Sequence, residues 1–156
     1  MKDDDNIEEV LIALRRVTRA VDLHSKHLMK TSGLTAPQML ILQTLRDHGD
    51  AIISDIAKQV SLSQATVTSI IDRLEKRQLV VRERSSQDKR KVFACLTDEG
   101  AEIIRNAPTP LQEYFKRQFR DLQDWEQMQI ISSLQRVAQM MDAQHIDAAP
   151  LLDVGA

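Results

Sequence analysis

The sequence from residue 54 to residue 77 reads Ser54-Asp-Ile-Ala-Lys-Gln-Val60, then Ser61-Leu-Ser63, then Gln64-Ala-Thr-Val-Thr-Ser-Ile-Ile-Asp-Arg-Leu-Glu-Lys-Arg77. In the first part the apolar residues Ile56, Ala57 and Val60 share one helical face. In the last part apolar residues recur at i, i+3, i+4 and i+7, as in a half-buried helix; they are Val67, Ile70, Ile71 and Leu74. The spacing predicts a helix, a short turn that ends in the N-cap Ser63, and a second helix, which together form a helix-turn-helix.

The second helix has another face of small and polar side chains: Gln64, Ala65, Thr68, Ser69 and Asp72. Short side chains let a helix backbone approach base edges in the major groove of DNA, and Gln, Ser and Thr can donate and accept hydrogen bonds there. The pattern therefore predicts a recognition helix.

A charged hairpin is predicted directly after this helix. The β-prone runs 79–84 and 91–96 flank Ser85-Ser-Gln-Asp-Lys-Arg90, a polar loop rich in turn formers. The cations Lys89, Arg90 and Lys91 at its tip can reach phosphates or a narrow minor groove. A charged loop alone would favour a plain solvated surface. Following a helix-turn-helix, it indicates the wing of a winged helix.

The charge of the chain is unevenly distributed. The formal net charge is −2, but residues 54–97 hold nine Lys or Arg against five Asp or Glu, a local charge of +4 that leaves −6 for the remainder. Binding of a polyanion depends on local potential more than on net charge. A basic module on an acidic body therefore favours nucleic acid as a partner.

These segments resemble the MarR (multiple-antibiotic-resistance-regulator) family of transcription factors over nearly the whole chain. The resemblance lies in Leu62-Ser-Gln-Ala-Thr-Val-Thr68, Ile71-Asp-Arg-Leu-Glu75, Leu79-Val80, Asp88-Lys-Arg90 and Leu96-Thr-Asp-Glu-Gly100, at the family's spacing. Two positions depart from the family pattern: Gln78 stands where the family usually has Gly, and Ser69 where it often has a basic residue. Gln78 must therefore end a helix without glycine's conformational freedom, and Ser69 weakens an expected phosphate contact.

The polar helix face and the resemblance together assign the DNA-contacting residues. They are Ser63, Gln64, Ala65, Thr66, Thr68, Ser69 and Arg73 on or beside the recognition helix, and Lys89, Arg90 and Lys91 on the wing. Asp88 is assigned to shaping the wing turn, because a carboxylate gains nothing from facing phosphates.

Long amphipathic helices flank this module. One is predicted to start at Asp5 or Asn6 and stop near Gly33, and others follow the Thr97 cap, the Pro108-Thr-Pro110 interruption and Leu122. In the resembled family the first and last helices interlock two chains, so a homodimer is expected; the alternative is that these apolar faces close a monomer core. The fold prediction is therefore a mainly α (α+β) single chain. It has a winged-helix lobe at 35–97 with a two-stranded wing, dimerisation helices at 6–33 and 98–145, and a flexible tail at 146–156.

Other functions find little support in the sequence. It has no Gly-rich phosphate loop, nucleophile elbow, HExxH or paired CxxC, and an enzyme is not predicted. His24 and His27 share a helix face but lack further metal ligands with suggestive spacing, so neither a metal nor a cofactor is predicted. Cys95 alternates with Phe93 in a strand, which favours a buried, inert thiol over a redox sensor. The acidic N-terminus and the lack of a long apolar run predict a cytoplasmic protein of a bacterium or archaeon.

A small-molecule effector is also expected. Relatives often bind small anionic compounds, many of them aromatic, between the winged-helix lobe and the dimerisation helices. The residues here that could line such a pocket are His24, His27, Met39 and Gln43. Each of them is also explained as an ordinary core or surface residue. Leu23-His-Ser-Lys-His27, Leu34-Thr-Ala-Pro-Gln38 and Ala107-Pro-Thr-Pro-Leu111 are similar to MarR-type regulators of ectoine and other compatible-solute synthesis. That resemblance implies osmotic control, and a quaternary ammonium ligand would require an aromatic cage. The aromatics are Phe93, Tyr114, Phe115, Phe119 and Trp125.

Three classes of function remain at this point: a DNA-binding regulator that represses transcription from a pseudo-palindromic operator, a winged helix that binds other proteins, and an enzyme. The wing-tip cations favour the first class, since a protein-binding winged helix has no need of them. The enzyme class lacks a catalytic constellation.

Overall fold

The computed structural model describes residues 2–146, which fall into two compact units. One unit is residues 2–108 and the other is residues 109–146. The flexible tail predicted at 146–156 lies, from residue 147 onward, outside the described residues. None of the described helices has both the length and the apolarity that a bilayer span requires.

The first unit contains five helices and three short strands. In chain order they are α1 Lys2–Ser32, α2 Ala36–His48, β1 Ala51–Ile52, α3 Ile53–Val60, α4 Gln64–Lys76, β2 Val80–Arg84, β3 Val92–Leu96 and α5 Asp98–Asn106. The second unit contains α6 Leu111–Arg120 and α7 Asp124–Met140. The mainly helical fold with a winged helix-turn-helix is confirmed. The first helix begins at Lys2 rather than at Asp5 or Asn6, with acids at positions 3 to 5 in its first turn, where they complement the helix dipole.

The sheet has three antiparallel strands in the order β1-β3-β2. Strands β2 and β3 form the predicted hairpin, with Val80 opposite Leu96 and Arg84 opposite Val92. The prediction of two strands is incomplete, because β1 pairs Ala51 with Ala94 along the other edge of β3. Two residues are too few for an alternating pattern, so β1 gave no signal in the sequence.

The core of the first unit lies under the helix-turn-helix. Its fully buried side chains come from α1 to α4, from the turn between α1 and α2, and from β2: they include Leu28, Leu34, Met39, Ile41, Leu42, Ile56, Val67, Ile71, Leu74 and Val80. The apolar face predicted for α4 is thus buried in full, with Ile70 the most exposed of its four members at 9%. This burial fixes which side of α4 faces solvent.

Side-chain caps define three helix starts, of which the caps Ser63 and Thr97 are predicted from the sequence. Thr35 and Gln38 form a capping box at α2, Ser63 accepts from the backbone N–H of Thr66 at α4, and Thr97 accepts from that of Gly100 at α5. Helix α6 differs, because its N-cap is Pro110 and no side chain caps it. Pro110 supplies a fixed backbone angle there instead of a hydrogen bond.

The junction between β3 and α5 is tightly packed around Leu79. The N–H of Thr97 donates to the carbonyl oxygen of Leu79 at 3.2 Å, and the Thr97 hydroxyl donates to that of Gln78 at 2.7 Å. A Cβ on Gly100 would lie 2.3 Å from the same Leu79 oxygen and 2.7 Å from Leu96 Cδ1. Glycine is therefore required for this close approach between α5 and the start of β2.

Helix α4 ends in a Schellman motif centred on Gln78. Gln78 has φ 61°, its N–H donates to the carbonyl of Glu75 at 2.9 Å, and the N–H of Leu79 donates to that of Leu74 at 3.0 Å. This pairing satisfies carbonyls that the helix leaves without partners. Gln78 thus adopts the left-handed conformation that glycine usually provides.

Replacing Gln78 with glycine is expected to raise the free energy of unfolding by about 1 kcal/mol, because the left-handed conformation strains a residue that has a Cβ. The exposed Gln78 side chain leaves no cavity when removed. As a control, Lys76→Gly inside the last turn of α4 should lower it by about 1 kcal/mol. Urea unfolding of the three proteins measures both effects; equal losses in the two variants would contradict the left-handed assignment.

Candidate nucleic-acid interface

The predicted recognition residues lie together on the solvent side of α4. Gln64, Ala65, Thr68, Ser69 and Arg73 are all exposed, while the opposite face of the helix is buried in the core. The predicted base-reading face is therefore accessible along three turns of the helix.

Two of the predicted contact residues also serve the helix start. The Ser63 hydroxyl accepts from the Thr66 N–H at 3.1 Å and lies 2.7 Å from the Thr66 hydroxyl. These contacts hold both hydroxyls at the N-terminus of α4, where the helix dipole favours an anion such as a phosphate. Ser63 and Thr66 thus combine capping with a position suited to backbone contact.

Hydrogen bonds within the loop fix the backbone conformation of the wing tip. The Ser85 hydroxyl accepts from the N–H groups of Gln87 and Asp88, and the N–H of Lys91 donates to the Asp88 carbonyl at 2.9 Å. Asp88 Oδ1 in turn accepts from the Arg90 N–H at 3.1 Å. These bonds order the loop that presents the basic side chains.

The cations of the wing tip point into solvent. Arg90 is 91% exposed although its Nε lies 3.3 Å from Asp88 Oδ1, and Lys89 and Lys91 are exposed as well. An ion pair at such exposure contributes little energy, so Arg90 can exchange Asp88 for a phosphate at small cost.

The structure adds a residue that the sequence analysis missed. Arg82 on β2 forms ion pairs with Asp72 at 2.5 Å and Glu75 at 3.0 Å, both on α4, and its own N–H donates to Glu75 at 3.1 Å. Because its guanidinium bonds both acids, Arg82 links the wing to the recognition helix. The only hint of this contact in the sequence is the spacing of Asp72 and Glu75, three positions apart on α4.

Some cations of residues 54–97 already have polar partners within the protein. Arg82 pairs with two acids, Arg90 contacts Asp88, and Arg77 hydrogen-bonds to the end of α1. Other cations are exposed along α3, α4 and the wing: they are Lys58, Arg73, Lys76, Arg84, Lys89 and Lys91. The local excess of positive charge still faces solvent on the side of α4 and the wing.

The suggested effector residues are not brought into one cavity by the described contacts. Met39 is buried in the core, Gln43 and His24 are partly buried, and His27 is exposed. Burial lowers the pKa of His24, and the charge of His27 adds to that effect. No group of three or more His, Cys, Asp or Glu that could hold a metal occurs within residues 2–146.

Among the five aromatic residues that could form a cage, Phe115 and Phe119 stack on α6 with ring centroids 5.5 Å apart. Tyr114 and Trp125 are exposed, and Phe93 lies on β3. A stacked pair is not yet a cage, which requires several ring faces around one point.

Cys95 is buried in β3. Burial raises the pKa of its thiol to about 12, and the carboxylates of Asp50 and Glu83 add to the shift. Because the thiolate is the reactive form, this environment disfavours oxidation and metal binding at neutral pH.

The exposed polar face of α4, the buried support from α2 and α3, and the ordered basic wing define the winged helix-turn-helix class of proteins. Comparison with known proteins narrows the class. The MarR family model matches residues 34–92. The HTH-type transcriptional regulator YsmB of Bacillus subtilis is 30% identical over 122 residues, which are 78% of this chain and 84% of YsmB.

Solved structures agree with this result. The YusO protein from Bacillus subtilis is 25% identical with a TM-score of 0.59, and the match covers 87% of this chain and 96% of YusO. BpsR of Bordetella bronchiseptica, whose DNA binding is regulated by 6-hydroxynicotinic acid, is 30% identical with a TM-score of 0.51, covering 83% of this chain and 98% of BpsR. The chain belongs to the MarR family, whose members are transcriptional regulators and not enzymes.

Proposed function

We propose that the protein is a sequence-specific repressor that binds a pseudo-palindromic operator as a homodimer. The observation that carries the proposal is the exposed polar face of α4 beside a wing tip whose cations face solvent. Helix α4 reads base edges in the major groove, and the wing binds the adjacent minor groove. Bound over a promoter in the cytoplasm, the dimer would exclude RNA polymerase.

A second copy of the chain is the partner that the exposed apolar residues favour. Helix α1 exposes Ile7, Val10, Val17 and Leu23, and α7 exposes Trp125, Met128, Ile131 and Leu134. Large apolar side chains repeated along two helices are unusual on a monomer surface and typical of a permanent interface. Two-fold pairing would place half-sites about 10 bp apart, one turn of DNA.

A small-molecule effector is part of the proposal. BpsR has the same fold, and its DNA binding is regulated by 6-hydroxynicotinic acid. By analogy, an anionic compound or an osmolyte would shift this protein between states with different affinity for DNA. Control by osmotic state remains a prediction; mapping the protein's sites across the genome would name the pathway from the neighbouring genes.

Base readout can be tested on α4. Gln64→Ala or Thr68→Ala should weaken binding to the operator by about 1 to 3 kcal/mol and relax its sequence preference, since each removes hydrogen bonds to a base edge. Binding to random DNA should stay almost unchanged. Competition binding with operator and random duplexes measures both. Equal losses on the two DNAs would mean that another face of α4 reads the bases.

Anchoring can be tested separately on the wing. Arg90→Ala should weaken binding to operator and random DNA alike, and should flatten the plot of log affinity against log salt by about one phosphate contact per wing. Asp88→Ala should change the slope less, because it removes the hydrogen bonds that order the turn but keeps the cations. A salt series on both variants makes the comparison.

The same salt series separates the proposal from its main alternative, a winged helix that binds proteins. An Arg90→Ala protein with unaltered affinity and slope would show that the hairpin does not touch DNA, and the alternative would then be preferred.

A further inference from the structure

Arg77 joins the end of the recognition helix to the end of α1. Its Nη1 donates to the Gly33 carbonyl at 2.6 Å and its Nη2 to the Ser32 carbonyl at 3.2 Å, across 44 residues of sequence. These carbonyls lie at the C-terminus of α1, where a helix has unpaired acceptors and a partial negative charge. A planar guanidinium fits two such oxygens at once.

Both ends of this contact are held in place. Arg77 is the C-cap of α4 and leads directly into the Schellman turn at Gln78. On the other side, Gly33 has φ 68° and donates to the Met29 carbonyl, while the Ser32 hydroxyl bonds the Leu28 carbonyl at 2.6 Å and accepts from the Leu34 N–H. A side chain fixed between two rigid ends transmits the orientation of one helix to the other.

Apolar packing between α1 and the core is sparse. Of the 31 residues of α1 only Val21, Leu28 and Ser32 are buried, and only Leu28 joins the core cluster. Arg77 therefore adds two hydrogen bonds to a joint in which Leu28 is the residue that α1 contributes to the core cluster.

The angle between α1 and the helix-turn-helix matters if α1 lies in the dimer interface. A rotation of about 10° acting over about 20 Å moves the recognition helix by about 3.5 Å, which is close to the rise of one base pair. The separation of two recognition helices in a dimer thus depends on how firmly each is fixed to α1.

We propose that Arg77 is a positioning residue that sets the half-site spacing this protein accepts. The inference rests on the proposed function, since spacing has meaning only for a dimer on a two-fold operator. Arg77 need not touch DNA to act in this way. It selects operators through geometry rather than through base contacts.

The test uses the full-length protein and a set of operators whose half-sites are moved one or two base pairs closer together or farther apart. The wild-type protein should lose about tenfold or more in affinity for each step from the best spacing. Arg77→Gln should lose severalfold on the best operator but distinguish the spacings by less than about threefold. Arg77→Lys should be intermediate, because an ammonium can bond one carbonyl but not both in the same plane.

Lys76→Ala is the matched control, because Lys76 is an exposed cation in the same turn of α4. Its affinity should fall equally at every spacing, as expected from lost charge alone. The inference is overturned if both Arg77 variants, folded and dimeric, keep the wild-type spacing profile, whether or not overall affinity falls. A wild-type protein that binds no two-fold site would instead contradict the proposed function.

Discussion

Replacing Gly100 with alanine is expected to destabilise the protein by about 3 kcal/mol, the upper end of the usual cost of overpacking. The added Cβ would lie 2.3 Å from the Leu79 oxygen, and that oxygen also accepts from the Thr97 N–H. A backbone atom in a hydrogen bond cannot move aside as the end of a flexible side chain can. The start of α5 would therefore shift away from β2.

The sign of the change in stability distinguishes a crowded glycine from an open one. At an open position inside a helix, Gly→Ala would stabilise by about 1 kcal/mol. Gly49→Ala is a useful comparison, because a Cβ there meets nothing within 4 Å and only the backbone conformation, φ 82° and ψ −169°, is strained; a loss of about 2 kcal/mol in the free energy of unfolding is expected. Chemical denaturation of both variants decides the matter, and a Gly100→Ala protein as stable as the wild type would contradict the close approach.

Leu134→Asp is expected to reduce operator affinity by at least about 100-fold, because two linked half-site contacts become one. Leu134 is 56% exposed on α7, so aspartate should leave the fold of the single chain intact. Buried in a dimer interface, an unpaired carboxylate would cost several kcal/mol. Analytical ultracentrifugation should find monomers at concentrations where the wild-type protein is a dimer.

Gln139→Asp is the control for this variant, since Gln139 is exposed on the same helix and its neighbours one turn back are Gln135 and Arg136. It introduces the same charge and should leave both dimer and affinity nearly unchanged. If Leu134→Asp stays dimeric and binds the operator normally, α7 does not form the interface.

Local sequence patterns predicted most of the winged-helix lobe. The apolar spacing of Val67 to Leu74 and the caps Ser63 and Thr97 are properties of neighbouring residues, and the structure confirms each of them. The hairpin was predicted for the same reason. The short strand β1 was missed because its pairing with β3 depends on residues some forty positions away.

The partners of long-range polar contacts could not be predicted from the sequence. Arg82 and Arg77 were counted as part of the basic module, yet the structure shows that one links α4 to the wing and the other links α4 to α1. An arginine on an exposed helix end or strand gives no local sign of its distant partner. Gln78 showed the reverse: its departure from glycine was visible in the sequence, and the structure accommodates it in the left-handed region.

In the proposed complex, two chains together read one pseudo-palindromic operator. Native mass spectrometry of this complex, combined with hydroxyl-radical footprinting of the same duplex, measures both its stoichiometry and its symmetry. We predict two chains per operator and a symmetric footprint whose two protected backbone segments are centred about 10 bp apart. A complex of one chain on one half-site, or protection that does not depend on sequence, would rule out a dimer that reads a two-fold operator.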